Sequence, residues 1–210
     1  MASEIDLNAA INDFLSRSKT DSGRLNALAA TVIDIFASQG LPNLIGGSAG
    51  EAGIRGIVRN KDWDLAFLFA GKPRLLISLK SILKNVSGTV PNRLDDLMGE
   101  VANVQQFSPE VVTGYVIVLD ENANRQRRDG IDWFSYVEQS LKKLAIRKAP
   151  LWNQGLIEGF WTIRIDSRLP LGQRLVNPEK AMADGAVFAS ALISELRRRE
   201  PAIFEERSST

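Results

Sequence analysis

The chain contains no histidine and no cysteine. Without histidine there is no Ser-His-Asp triad, no histidine-ligated zinc site and no nuclease chemistry built on an imidazole base or nucleophile. Without cysteine there is no disulfide framework and no thiolate metal centre. Hydrolytic chemistry in this sequence is restricted to carboxylates, lysine and a hard cation such as Mg²⁺. Long apolar runs are missing too. None approaches the length of a membrane span, and the opening Met-Ala-Ser-Glu-Ile-Asp lacks the charged and apolar regions of a signal peptide. The expectation is a soluble cytoplasmic protein with no membrane partner.

What is present suits an ordinary core. The 210 residues with 44% hydrophobic content fit one α/β domain, with room for a small subdomain. A net charge of +1 neither demands nor forbids nucleic acid, but the basic residues are clustered, and local patches govern phosphate contacts. One cluster is Arg125, Arg127 and Arg128, a second is Lys142, Lys143, Arg147 and Lys148, and a third is Arg197 to Arg199. The third reads as the solvated, cationic last turn of a helix, where positive charge suits the helix dipole.

The stretch Lys61 to Lys80 carries the candidate chemistry. Asp64 opens one apolar run, Gly71-Lys72-Pro73 breaks it, and a second run bears Ser78 and Lys80 near its end. Two short runs around a Gly/Pro turn predict a β-hairpin. Alternation puts Leu76, Ser78 and Lys80 on one face and Ile77 and Leu79 on the other. An Asp entering one strand then sits beside a Lys leaving the next, an arrangement suited to a metal and a phosphate. The plainer reading of the same residues is a turn aspartate and a lysine snorkelling to water.

Around this hairpin the pattern predicts helices over residues 3–17 (Ile5, Ala9, Phe14) and from Leu25 through Leu28, Val32 and Ile35/Phe36 to a stop at Gly40 and Pro42. Residues 44–60 are glycine-rich, with Glu51, Arg55 and Arg59. They fit neither a Walker loop nor a dinucleotide fingerprint, and read equally as a phosphate-approaching loop or a plain connection. Ser81 to Pro91 reads as a polar, mobile segment. Asn92 to Phe107 is helical, with Asp96 and Glu100 on one stripe. Thr113 to Leu119 predicts a strand covered on both faces, followed by a polar loop over 120–130 and a helix from Ile131 to Ile146 with Trp133, Val137, Leu141 and Leu144 inward. A further strand is expected over Leu156 to Ile165, and Asn177-Pro178 opens a helix running to Arg199, closed by Pro201. The order predicts an α/β fold: a mixed central sheet flanked by α-helices.

Three blocks in this order, Lys61-Asp62-Trp63-Asp64-Leu65, Lys80-Ser81 and Asn92-Arg93-Leu94-Asp95-Asp96-Leu97-Met98-Gly99, resemble the XhoI-type restriction endonucleases within the PD-(D/E)xK nuclease superfamily. The resemblance covers about residues 55–120. It implies a restriction-endonuclease-like domain over residues 1–210 and a type II, Mg²⁺-dependent DNA endonuclease in which Mn²⁺ substitutes for Mg²⁺. The implied partners are double-stranded DNA, a second copy of the chain and a cognate methyltransferase. Asp64 is then a metal ligand and Lys80 the catalytic lysine. Arg55, Arg59, Arg93, Arg125, Arg127 and Arg128 become candidates for contacting DNA.

One departure matters: Ser78 stands where the family places a metal-binding carboxylate, and a serine hydroxyl is a far poorer ligand for a hard dication. The carboxylate then comes from elsewhere, as in the NgoMIV-type enzymes, which the Ser-x-Lys triplet also resembles. Glu100 is the first candidate, Asp96 the next and Glu51 a more distant one. Otherwise the site works with Asp64 alone, or it is inactive and leaves a DNA-binding or interaction protein on the same fold. Outside the resemblance stands an α/β protein unrelated to nucleic acid, with Asp64 and Lys80 as structural surface residues.

Overall fold

A computed structural model describes residues 6–18, 21, 23–148 and 154–205. Helix α1 (Leu7–Ser16) is capped by the Asp6 carboxylate, which accepts from the Ala9 N–H, and buries Leu7, Ala10, Ile11 and Phe14. Ile5, expected on the same helix, lies outside the described residues. Helix α2 (Asn26–Ser38) buries Leu28, Val32, Ile35 and Phe36, the residues whose spacing predicted it.

The glycine-rich segment is more ordered than a plain connection. It forms strand β1 (Ile45–Gly46), a single 3-10 turn at Gly47–Ala49 and strand β2 (Ala52–Ile54), which pairs antiparallel with β3 (Lys61–Trp63). Strands β4 (Leu65–Phe69) and β5 (Lys72–Ile82) form the predicted hairpin, with Leu65 opposite Ile77 and Phe67 opposite Leu75. After it come α3 (Val86–Gln105), β6 (Val112–Asp120), α4 (Trp133–Leu144), β7 (Gly159–Ile165), α5 (Pro178–Arg199) and the short α6 (Ala202–Glu205).

The main sheet has the order β1-β4-β5-β6-β7; β1, β4 and β5 run antiparallel, and β5, β6 and β7 run parallel. Helices cover both faces. Leu75, Ile77, Leu79, Val116, Val118 and Trp161 share one core with α1, α2 and α5. Leu76, Ile82, Tyr115, Ile117 and Leu119 share the other with α3 and α4. All nine residues of β6 are buried, as a strand covered on both faces must be. Among the described residues no helix is long and apolar enough to cross a membrane.

The segment expected to be polar and mobile is instead structured. Strand β5 runs on to Ile82, and α3 begins at Val86, one turn and a half before the expected start, with Pro91 inside it. Pro91 forfeits one intrahelical N–H. Val86 and Val90 are buried in the second core, and their burial offsets that loss.

Two of the basic clusters are partly interior. Arg147 and Arg199, with side chains 2% exposed, converge on the buried Glu158, with Nη to Oε1 distances of 2.6 Å and 2.8 Å. Arg199 therefore does not belong to a solvated helix end. Arg197 stacks on Phe204 and Arg198 pairs with Glu195. A helix-end arginine can reach inward when a carboxylate behind it needs neutralising.

Candidate active site

Asp64 is the single residue between β3 and β4, at the point where the chain leaves the small hairpin and enters the main sheet. Its neighbours hold it from opposite sides. Trp63 is buried in the core beneath α3 and α4, and Leu65 in the core beneath α1 and α2. The edge strand packs directly on it as well: a Cβ at Gly46 would lie 2.2 Å from the Asp64 carbonyl oxygen, so only glycine permits this approach. Such bracketing fixes the backbone and leaves the carboxylate free to point along the sheet edge.

The hairpin register explains what the carboxylate does. Leu65 opposite Ile77 is the last rung; continued, it would set Trp63 against Leu79, but Trp63 pairs with Ala52 instead. The Leu79 N–H would then be orphaned on that edge. Asp64 Oδ2 takes it at 2.8 Å, and also accepts from the Ser78 hydroxyl at 3.4 Å. Lys80 Nζ stands 3.7 Å from the same oxygen, with both side chains about one-sixth exposed (17% and 16%). All these contacts fall on Oδ2. Among the described residues Oδ1 accepts no hydrogen bond. Asp64 thus caps β5 with one oxygen and keeps the other without a protein donor among the described residues.

The other candidate carboxylates are distributed unequally. Glu100 is held by Lys61 at 2.6 Å. Asp96 pairs with Arg93 at 3.3 Å on the outer side of α3, its side chain half exposed. Glu51, the most distant candidate on the sequence, lines a cavity of about 390 Å³ together with Asp64, Ser48, Asn26 and Leu79. No group of three or more His, Cys, Asp or Glu side chains among the described residues is arranged to hold a metal ion. A Mg²⁺ site does not require one, because this ion is commonly bound through one or two carboxylates with water and phosphate completing its shell.

Tyr115 is a buried polar residue beside the candidate site that the sequence reading missed. It is the register partner of Ser78 on the adjacent strand, 1% exposed, and its hydroxyl has no hydrogen-bond partner among the described residues. Burial pushes its pKa up. Arg93 opposes that shift, and the carboxylates of Glu100, Asp96 and Asp64 add to it. The phenol is therefore neutral and within electrostatic reach of the candidate acids. Its signal in the sequence was slight: one phenol in a largely apolar run.

The arginines proposed for DNA contact fall into separate groups. Arg55 and Arg59 are exposed on the loop joining β2 and β3, and Arg55 stacks over Phe107 at 4.8 Å. Arg125 donates to the carbonyls of Asn122 and Asn124 at 2.7 Å and 2.6 Å. Arg127 lies over the Tyr136 ring at 3.6 Å and pairs with Asp129. These two arginines shape the loop that carries them, while Arg128 is exposed on it. That loop follows β6, whose Leu119 lies opposite Ile82 of β5, and so leaves the sheet at the end toward which Lys80 leads. No protein-family model matches the chain, and no curated protein matches it.

Proposed function

We propose that the chain is a Mg²⁺-dependent endodeoxyribonuclease of the type II restriction class, built around Asp64 and Lys80. The observation that carries this reading is the Asp64–Lys80 pair itself. One carboxylate oxygen is committed to Leu79, Ser78 and Lys80, and the other is unoccupied by any described donor. Asp64 keeps one oxygen without a donor among the described residues, and Glu51 lines the same cavity; one or two carboxylates completed by water and phosphate suit a hard dication. Mg²⁺, or Mn²⁺ in its place, supplies Lewis-acid polarisation of a phosphodiester and a bound water of lowered pKa.

The chain's own residues do the rest. Lys80 orients the attacking water and offsets the negative charge that grows on the phosphoryl oxygens as the water oxygen bonds to phosphorus and the P–O bond to the leaving sugar breaks. The water loses its proton to solvent, and the leaving oxygen takes one from solvent. Asp64, anchored by the Leu79 N–H, presents its other oxygen without further reorganisation. Glu51 serves as the second carboxylate, in preference to Glu100, whose charge Lys61 already holds. Double-stranded DNA is the substrate and the cytoplasm its compartment. A two-fold dimer and a cognate methyltransferase belong to the same proposal.

The test is incubation of the purified protein with plasmid and phage DNA at low salt, with Mg²⁺ or Mn²⁺, beside Asp64→Asn. Discrete bands that disappear in the variant are the expected result. A second reading is favoured by Ser78 at the position where the resemblance expects a carboxylate: a DNA-binding protein on this fold that does not cleave. A salt-sensitive gel shift without cleavage supports it, and neither cleavage nor shift removes both.

A further inference from the structure

Residues 55–60, Arg-Gly-Ile-Val-Arg-Asn, connect β2 and β3 and expose two consecutive β-branched residues. Ile57 is 58% exposed and Val58 86%. The loop is nevertheless built rather than slack. The Ile57 N–H donates to the Asn103 carbonyl at 2.9 Å, and the Val58 N–H to Asn103 Oδ1 at 2.9 Å. Asn103 Nδ2 donates back to the Arg59 carbonyl at 2.9 Å. Gly56 admits this clamp, because a Cβ there would lie 2.0 Å from Asn103 Nδ2 and 2.8 Å from the Arg59 carbonyl oxygen. One side chain of α3 therefore uses its amide and its carbonyl oxygen to hold an apolar tip out into solvent. Such presentation implies a partner that covers the tip.

The charge around the tip selects the partner. No acidic residue occurs between positions 52 and 61, and the exposed Arg55 and Arg59 flank Ile57 and Val58. Cations on either side of an apolar wedge are what duplex DNA meets when side chains press between base steps from the minor groove while phosphates are held alongside. The geometry agrees with the candidate site. Arg59 and Asp64 lie five residues apart on either side of strand β3, at most about 17 Å at roughly 3.3 Å per residue, which is less than one turn of a duplex at about 34 Å. We propose that the 55–60 loop is a DNA wedge: Ile57 and Val58 enter the minor groove and partly unstack a base step, and Arg55 and Arg59 hold the flanking phosphates. This rests on the nuclease reading and adds to it how the duplex is gripped beside Asp64.

The experiment uses the full chain with Ca²⁺ in place of Mg²⁺ and random-sequence DNA duplexes carrying a fluorescent adenine analogue that brightens when unstacked. Wild type is expected to bind with salt-dependent affinity and to raise the fluorescence. The double variant Ile57→Ser, Val58→Ser is expected to lose the brightening and bind about tenfold more weakly with an unchanged salt slope, since no phosphate contact is removed. Arg59→Ala is expected to reduce that slope by about one. If wild type binds and the double variant keeps both affinity and brightening, the wedge is refuted while the nuclease reading stands. If wild type binds no DNA, both fall. If the double variant instead converts a concentration-dependent dimer into a monomer in sedimentation, a second copy covers the tip and the wedge is overturned.

Discussion

Glu158 and Asp64 are both acidic residues beside a cation at the margin of the parallel strands, and they differ in what is left over. Glu158 is wholly buried. Its Oε1 takes Arg147 and Arg199, and its Oε2 takes the backbone N–H and hydroxyl of Thr113 at 2.6 Å and 3.0 Å. Every acceptor position is filled, as a buried charge requires. Asp64 is partly exposed, receives its contacts on one oxygen and opens on a cavity shared with Glu51. Adjacency of acid and base alone therefore does not separate the two: a saturated carboxylate holds the fold, and one with an oxygen left over is able to take a ligand.

The sharpest way to break this comparison is to empty the saturated site. Glu158→Ala leaves Arg147 and Arg199 buried together without their shared acid, and is expected to cost about 3–5 kcal/mol of folding stability in denaturant titration. A loss below about 1 kcal/mol would show that the pair is not buried in solution. Lys80→Ala is the counterpart at the other end. Cleavage should fall by about 10²- to 10³-fold, while melting changes by no more than about 1 kcal/mol, because Asp64 keeps the Leu79 N–H. Equal losses in folding and activity would make Lys80 structural.

Ser78→Glu adds a like charge to a buried position 3.4 Å from Asp64. Without divalent cations it is expected to destabilise the protein by about 1–3 kcal/mol, and Mg²⁺ should restore more stability to the variant than to wild type. No Mg²⁺ dependence in its thermal melt would argue that no cation comes to Asp64. The smallest effect belongs to a third carboxylate, Asp132, which caps α4. Burial acts to raise its pKa, but hydrogen bonds from the Ser135 hydroxyl and backbone, from Asn124 and from the Phe134 N–H outweigh that and lower it from 3.8 to about 2. A depressed folded-state pKa means stability present above the unfolded value and lost as pH falls through the folded one. Asp132→Ala should cost about 1 kcal/mol at neutral pH, and the difference from wild type should shrink between about pH 4 and pH 2 in acid unfolding curves.

Much of the frame was legible because its signals are local. Alternation around Gly71 predicted the hairpin, the apolar run from Thr113 predicted the doubly covered strand, and Asn177-Pro178 predicted a helix start that the Asn177 side chain does cap. The start of α3 was not legible, because Pro91 and Gly88 are breakers by propensity and only the burial of Val86 and Val90 overrides them. At the site, the adjacency of Asp64 and Lys80 followed from hairpin alternation. That Lys61 reaches across to Glu100 on α3, and that Glu51 lines one cavity with Asp64, did not, since both depend on how separate elements pack together.

By itself the sequence determined the chemistry open to this protein, carboxylate and lysine with no imidazole or thiol, because residue types are present or absent whatever the fold. It also determined the order of the strands and helices from the central hairpin onward, though not β1 to β3, because side-chain periodicity acts over a few residues. Only the tertiary structure decided which charges are spent and which are available. Arg147 and Arg199 sit in basic clusters along the chain yet are consumed by Glu158, and Ile57 and Val58, apolar enough for a core, are held in solvent by Asn103. Both outcomes turn on contacts between residues 11 to 46 positions apart, and pairing at that separation is settled by packing.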